Sequence, residues 1–208
     1  MLKTSSLGRW GSAAALIGIA AAARAVVIFD FSIVVTGATP GGAAPWATLS
    51  ISDSGADTVD MTLSHNASSA AGQFLTRLWL NMSPYPSSPA IIHSSPKITG
   101  ATFSENGVHN AGGDFDMEVR FETSNAGGGV NRLKPGESVS WKITGSGLTE
   151  SAFLANSGGS LNVLGMIHVQ GINGEDSGKI VPVPEPVSVA TMGIGLLGLF
   201  VRRRRARA

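Results

Sequence analysis

A mainly β fold, an antiparallel β-sandwich of jelly-roll-like or immunoglobulin-like topology, follows from three properties of the chain. Apolar residues recur with period two. Runs of Gly, Pro, Ser, Asn and Asp separate these stretches at short intervals. No segment between residues 26 and 186 sustains a 3.6-residue period. Residues 114–122 show the pattern best: Phe115, Met117, Val119 and Phe121 fall on one side, and Asp114, Asp116, Glu118, Arg120 and Glu122 on the other. With one polar face per strand, this reads as a sheet packed on one side and solvated on the other.

Taken in order, strands are expected at 26–35, 46–52, 57–63, 74–82, 97–103, 114–122, 138–144 and 161–169. In 57–63, Val59, Met61 and Leu63 share a face, and in 74–82 Leu78, Leu80 and Met82 oppose Arg77, Trp79 and Asn81. In 138–144, Val139, Trp141 and Ile143 form the apolar side. The stretches TPGGAAP, SDSGAD, NASSAAG, SPYPSSP, SENGVHNAGG, TSNAGGG and ANSGGS supply the turns. Residues 131–137 predict a tight turn with Pro135 at its second position and Gly136 where positive φ is tolerated. One short helix is expected near 148–154.

Both ends of the chain read as processing segments. Lys3 and Arg9 precede an apolar stretch at 13–23, and Ala23-Arg24-Ala25 forms an Ala-x-Ala pattern, so residues 1–25 predict a secretory signal peptide with a signal helix, cleaved after Ala25. The Sec translocon and signal peptidase are its implied partners. At the other end, residues 187–201 lack charge and Arg202, Arg203, Arg204 and Arg205 follow. This predicts a transmembrane helix about 22 Å long, short for a ~30 Å hydrocarbon core, with the arginines on the cytoplasmic side. Between them, residues 26–180 form the exported domain, and 181–208 the C-terminal signal.

Composition narrows the function classes. The whole chain carries a net charge of +1, yet eight of its fifteen basic residues lie before residue 26 or after residue 186. The stretch between holds seven basic and fourteen acidic residues, a balance of −7. That argues against nucleic acid as a partner, which requires basic surface. With no cysteine, a disulfide framework, a thiolate metal site and a Cys nucleophile are excluded.

Val183, Pro184, Glu185 and Pro186, the Gly-rich apolar run through Gly193, Gly195 and Gly198, and the terminal arginines together resemble the PEP-CTERM sorting signal of Gram-negative bacteria. The resemblance implies export to the membrane and handling by an exosortase, a multipass membrane cysteine transpeptidase that cleaves near the Pro-Glu-Pro. It implies a transient inner-membrane intermediate, then a cell-surface or extracellular product associated with exopolysaccharide and biofilm. Residues 132–145 and 168–180 also resemble recurring pieces of exported PEP-CTERM proteins.

Candidate chemistry in the domain is sparse. Asp53, Asp57 and Asp60 surround Gly55 in a stretch that can curl, making them candidate Ca²⁺ ligands, although they lack the D-x-D-x-D-G spacing and such residues are ordinary in turns. Asn173, Glu175 and Asp176 offer a similar loop. The carboxylates of Asp114, Asp116 and Glu118 stand about 6.5–7 Å apart along a strand, lined up rather than convergent, and read as a solvated acidic face. His65, His93, His109 and His168 show no His-x-His or His-x-x-x-His spacing, and no Gly-x-Ser-x-Gly elbow accompanies His168. Gly127, Gly128 and Gly129 lack the Lys-Ser or Lys-Thr of a phosphate loop. For sugar binding the aromatics Trp46, Trp79, Trp141 and Tyr85 matter; Trp141 is in phase with the core, and Trp79 is a candidate exposed platform. The expectation is a noncatalytic domain without cofactor. The alternatives are a secreted hydrolase acting on polysaccharide or ester, and a plain single-pass anchored protein.

Overall fold

A computed structural model describes residues 25–183. The predicted signal helix with Ala23, the tripeptide Pro184, Glu185 and Pro186, the helix at 187–201 and the arginines from Arg202 to Arg205 lie outside the described residues. Among the described residues, no helix is long and apolar enough to cross a membrane.

The chain is mainly β. In order, it forms β1 (Val26–Gly37), β2 (Ala47–Gly55), β3 (Thr58–His65), β4 (Phe74–Leu80), β5 (Ser87–Ile92), β6 (Ile98–Asn110) and β7 (Gly113–Phe121). There follow β8 (Ser138–Ser146), the two-residue β9 (Gly158–Gly159), β10 (Gly165–Ile172) and β11 (Asp176–Pro182). A 3-10 helix at Glu150–Leu154 occupies the expected helical position. The turn at 131–137 is as read from the sequence: Glu137 N donates to Lys134 O across 3.1 Å, with Gly136 at φ +82°.

All strand pairings are antiparallel, in the order β5-β8-β3-β2-β1-β11-β10-β4-β7-β6, with β9 added to β7. Because β1, β2 and β3 form a meander, the order differs from that of an immunoglobulin domain, whose second strand pairs with its fifth.

The joint is β1. Its residues 26–31 pair with β2, while residues 31–37 pair with β11, and the register shifts between Phe31 and Ile33 and again between Val34 and Thr36. Irregularities of this kind let one strand pass from one layer to another. The sheet consequently folds back on itself, and side chains from both ends of the path share one core. Leu49, Met61 and Trp141 from one layer join Leu78, Val119 and Ile167 from the other. The Phe121 and Trp141 rings, on strands that are not neighbours, stand edge-on at 6.1 Å. Each fully buried side chain of this size contributes about 1.5–3 kcal/mol.

The expectation of one solvated face per strand fails for β4 and β7. Trp79, Phe115, Met166 and Val181 form a second, smaller cluster, capped by Val108, Leu161 and Val163. Trp79 is only 1% exposed. It is not an exposed platform, because segments distant in sequence cover that side of the sheet. Nor is the acidic face of β7 solvated, since Asp116 and Glu118 are both buried.

Candidate functional site

Asp116 shows what such burial is for. Its two carboxylate oxygens accept from the backbone N–H of Met82, at 2.7 Å, and of Asn106, at 2.6 Å. Met82 lies just after β4, and Asn106 sits in the irregular middle of β6, where pairing with β7 lapses between Phe103 and Val108 and φ is +49°. One carboxylate therefore pins two segments at the end of the molecule. A third is tied in by Ser83 N donating to Ala152 O, 2.9 Å.

Between these segments opens a polar cleft of roughly 500 Å³. Its lining includes Pro84, Tyr85, Glu105, Asn106, Asp116 and Asn156. The Ser83–Pro84 peptide is cis. Tyr85 is half-buried and packs on the edge of the main core. Burial, then the negative charges of Asp116 and Glu105, push the Tyr85 hydroxyl above its usual pKa, so it stays neutral and can both donate and accept. An aromatic face beside amide and carboxylate groups is suited to a polyhydroxylated ligand. Of the four aromatics weighed for sugar contact, only Tyr85 is so placed; Trp46, Trp79 and Trp141 are all buried.

The other predicted residues are dispersed into separate contacts. Asp53 accepts from Glu150 N at 2.9 Å, Asp57 accepts from Gly147 N at 2.7 Å, and Asp60 pairs with Lys142, whose ammonium also donates to Ser54. The carboxyl–carboxylate contact with Asp53 raises the Glu150 pKa, with burial adding to it. Glu118 pairs with Arg77 and Arg120. Asp114 meets the exposed His109 at 2.7 Å, and Glu122 accepts from the N–H groups of Thr123 and Ser124. Asn173, at φ +51°, and Glu175 lie in the exposed turn between β10 and β11, and Asp176 opens β11, also exposed. Among the described residues, no three His, Asp or Glu side chains gather as metal ligands.

Two histidines have shifted titration. His65 is buried, with Nδ1 at 3.0 Å from Leu133 O, and burial lowers its pKa. His168 contacts the Thr76 hydroxyl at 2.8 Å. Its pKa is lowered by burial, then by Lys179 and Arg77. Its cleft neighbours are Thr36, Ser177 and Lys179, without a carboxylate to orient the ring. His93 lines a separate shallow cleft with Asp60, Trp141 and Lys142. Gly127 and Gly128, at φ 59° and 73°, shape the turn Ala126–Gly129.

Sequence reasoning missed Glu105, Asn106 and Asn156. Asn106-Gly107 and Asn156-Ser157-Gly158 are visible only as turn residues; the fold brings them to one cleft, where Asp116 holds the Asn106 backbone.

Strand β11 carries the chain to Pro182, in the middle of the sheet path, and Val183 N still donates to Asp30 O at 3.1 Å. The folded sheet thus runs two residues beyond the expected domain limit at 180, up to the Pro-Glu-Pro itself. No curated protein and no solved structure matches the chain. A family model for the PEP-CTERM protein-sorting motif matches residues 182–205, beginning where β11 ends. The chain therefore carries a PEP-CTERM protein-sorting motif and is an exported protein targeted to an exosortase by way of a membrane-anchored intermediate.

Proposed function

We propose that the mature protein is a noncatalytic surface or matrix component whose sandwich-like domain contacts exopolysaccharide through the Tyr85 cleft. The sorting motif supplies the address. The observation that carries the ligand class is the cleft: a neutral tyrosine on one wall, with Glu105, Asn106 and Asn156 offering hydrogen bonds to hydroxyls. The resemblance to exported PEP-CTERM proteins points the same way, to a biofilm matrix.

Hydrolysis is the less favoured reading on the character of Asp116. Both its oxygens are engaged by backbone N–H groups, so this carboxyl holds the fold together rather than facing a leaving group. Glu105 would have to act without that partner.

The test is retention of the mature protein on matrix polysaccharide from its own host, beside a Tyr85→Ala variant. Binding is expected, and the variant should be weaker by about 0.5–1.5 kcal/mol, the scale of one aromatic contact. Equal retention of both proteins would discard the cleft. Release of reducing ends or free acid during incubation would instead establish the hydrolase.

A further inference from the structure

Strand β1 is half paired on each of its edges. Residues 26–31 bond to β2 on one side and residues 31–37 to β11 on the other. Because β11 ends at Pro182, the β11-side edge over residues 26–29 has no strand beside it among the described residues. Two bonds fix which groups point there. Trp46 N donates to Phe31 O at 3.0 Å, so Phe31, Phe29 and Val27 turn their polar backbone toward β2. Val183 N donates to Asp30 O, so Asp30, Ile28 and Val26 turn theirs to the open edge. Val26 and Ile28 are 53% and 42% exposed, and Val183 is 45% exposed. An open apolar edge is a template for strand addition.

Val183, hydrogen-bonded to Asp30, stands at the start of this edge, and the sequence that follows it fits the edge. Extending the antiparallel register from Val183 opposite Asp30 sets Pro184 against Phe29, Glu185 against Ile28 and Pro186 against Val27. In that register only Val183 and Glu185 direct an N–H at β1, and both have one. Pro184 and Pro186, which have none, fall where none is required. The prolines share the face of the buried Phe29 and of Val27, which packs on the core, while Glu185 shares the solvent face with Ile28.

We propose that the open edge of β1 is the docking strand for the chain's own Pro184, Glu185 and Pro186, added as a continuation of β11. No loop separates this segment from β11, so its local concentration at the edge exceeds that of any strand from another molecule. Docked, the tripeptide has its backbone engaged, and a transpeptidase receives it only after it peels away. That consequence rests on the exosortase reading; the docking does not.

The absence of cysteine allows a direct test in the full-length precursor, held in detergent micelles. Ile28→Cys with Glu185→Cys places the two Cα atoms at the ~5.5 Å of a hydrogen-bonded pair, within the ~4.4–6.8 Å that a disulfide spans. This pair is expected to close roughly tenfold faster than Ile28→Cys with Ser188→Cys, which lies outside the register. Equal rates would overturn the proposal, as would disulfides formed only between molecules, which would assign the edge to a second copy. Hydrogen exchange on the cysteine-free precursor gives an independent reading. The Ile28 amide should be protected, and Glu185→Pro, lacking the facing N–H, should lose that protection. An unprotected Ile28 amide in the unaltered chain would also overturn it. Normal processing with slow disulfide closure would refute docking and leave sorting intact. Fast closure in a precursor that its host never cuts would support docking and count against sorting.

Discussion

At the scale of single residues, His65 makes the domain's stability depend on pH. It is buried between the β2–β3 meander and the turn at Leu133, and burial holds its pKa below the ordinary value near 6.5. The unfolded chain takes up a proton near pH 6.5 that the folded chain refuses. Stability is therefore full above that value and falls as pH drops toward the folded pKa, with a slope of up to about 1.4 kcal/mol per pH unit. Urea unfolding at pH 7.5 and 5.5 should give a lower midpoint at 5.5, and His65→Gln should shrink the difference, leaving the share of the half-buried His168, whose pKa is lowered too. A midpoint that is constant or higher at pH 5.5 would contradict this assignment. Asp116 is the second residue on which the end of the molecule depends. Asp116→Ala removes the acceptor from two N–H groups, that of Met82 being buried, for a loss of about 2–3 kcal/mol. Calorimetry should show Asp116→Ala melting well below Tyr85→Ala, which leaves both bonds in place.

At the scale of elements, two glycines separate strain from collision. Gly136 sits at φ +82° in its turn with open space around it, the nearest atom to an added Cβ being Ala67 Cβ at 3.8 Å. Gly136→Ala should cost only the conformational strain, about 1 kcal/mol. Gly178, in the strand between β1 and β10, would place a Cβ 2.2 Å from Ala38 O, so Gly178→Ala must push backbone apart and should destabilise considerably more. Denaturant midpoints of the two variants check the ranking. The Gly136 turn was legible in the sequence because Pro135-Gly136 has one economical backbone solution, and strands such as β3, β7 and β8 were legible because one apolar face alternates cleanly. β5 was not: it begins with Ser87 and Ser88, contains Pro89, and pairs only at the edge beside β8. β11 was not either, because its apolar end, Ile180 and Val181, straddles the expected limit between the domain and the C-terminal signal and merges into the proline-rich motif. The acidic stripe of β7 misleads for a related reason. Alternation reports which side chains face together, but not that Arg77 from β4 or the cap of Val108, Leu161 and Val163 will cover them. The Tyr85 cleft joins four separate segments and has no pattern of its own to find.

For the whole molecule, the position of β11 limits where processing can cut. It lies between β1 and β10 and, among the described residues, is a necessary link in the continuous strand path that joins the two layers. Ile180 belongs to the main core and Val181 to the second cluster, so removing this strand exposes both and severs the layers. Among the described residues, the core is built from side chains up to Val181. A transpeptidase acting on the folded protein must therefore cleave after Pro182, and its product should keep the stability of the precursor. Terminal-peptide mass spectrometry on protein from the native host should find a chain starting near Val26 and ending at or shortly after Val183. Its thermal midpoint should lie within a few degrees of the precursor's, since roughly 0.5 kcal/mol shifts a domain of this size by about 1–2 °C. A soluble, folded product ending before Ile180 would be incompatible with this sheet. A product retaining Arg202 to Arg205 would show that the chain remains anchored, and its net negative domain would then have to act at the membrane surface.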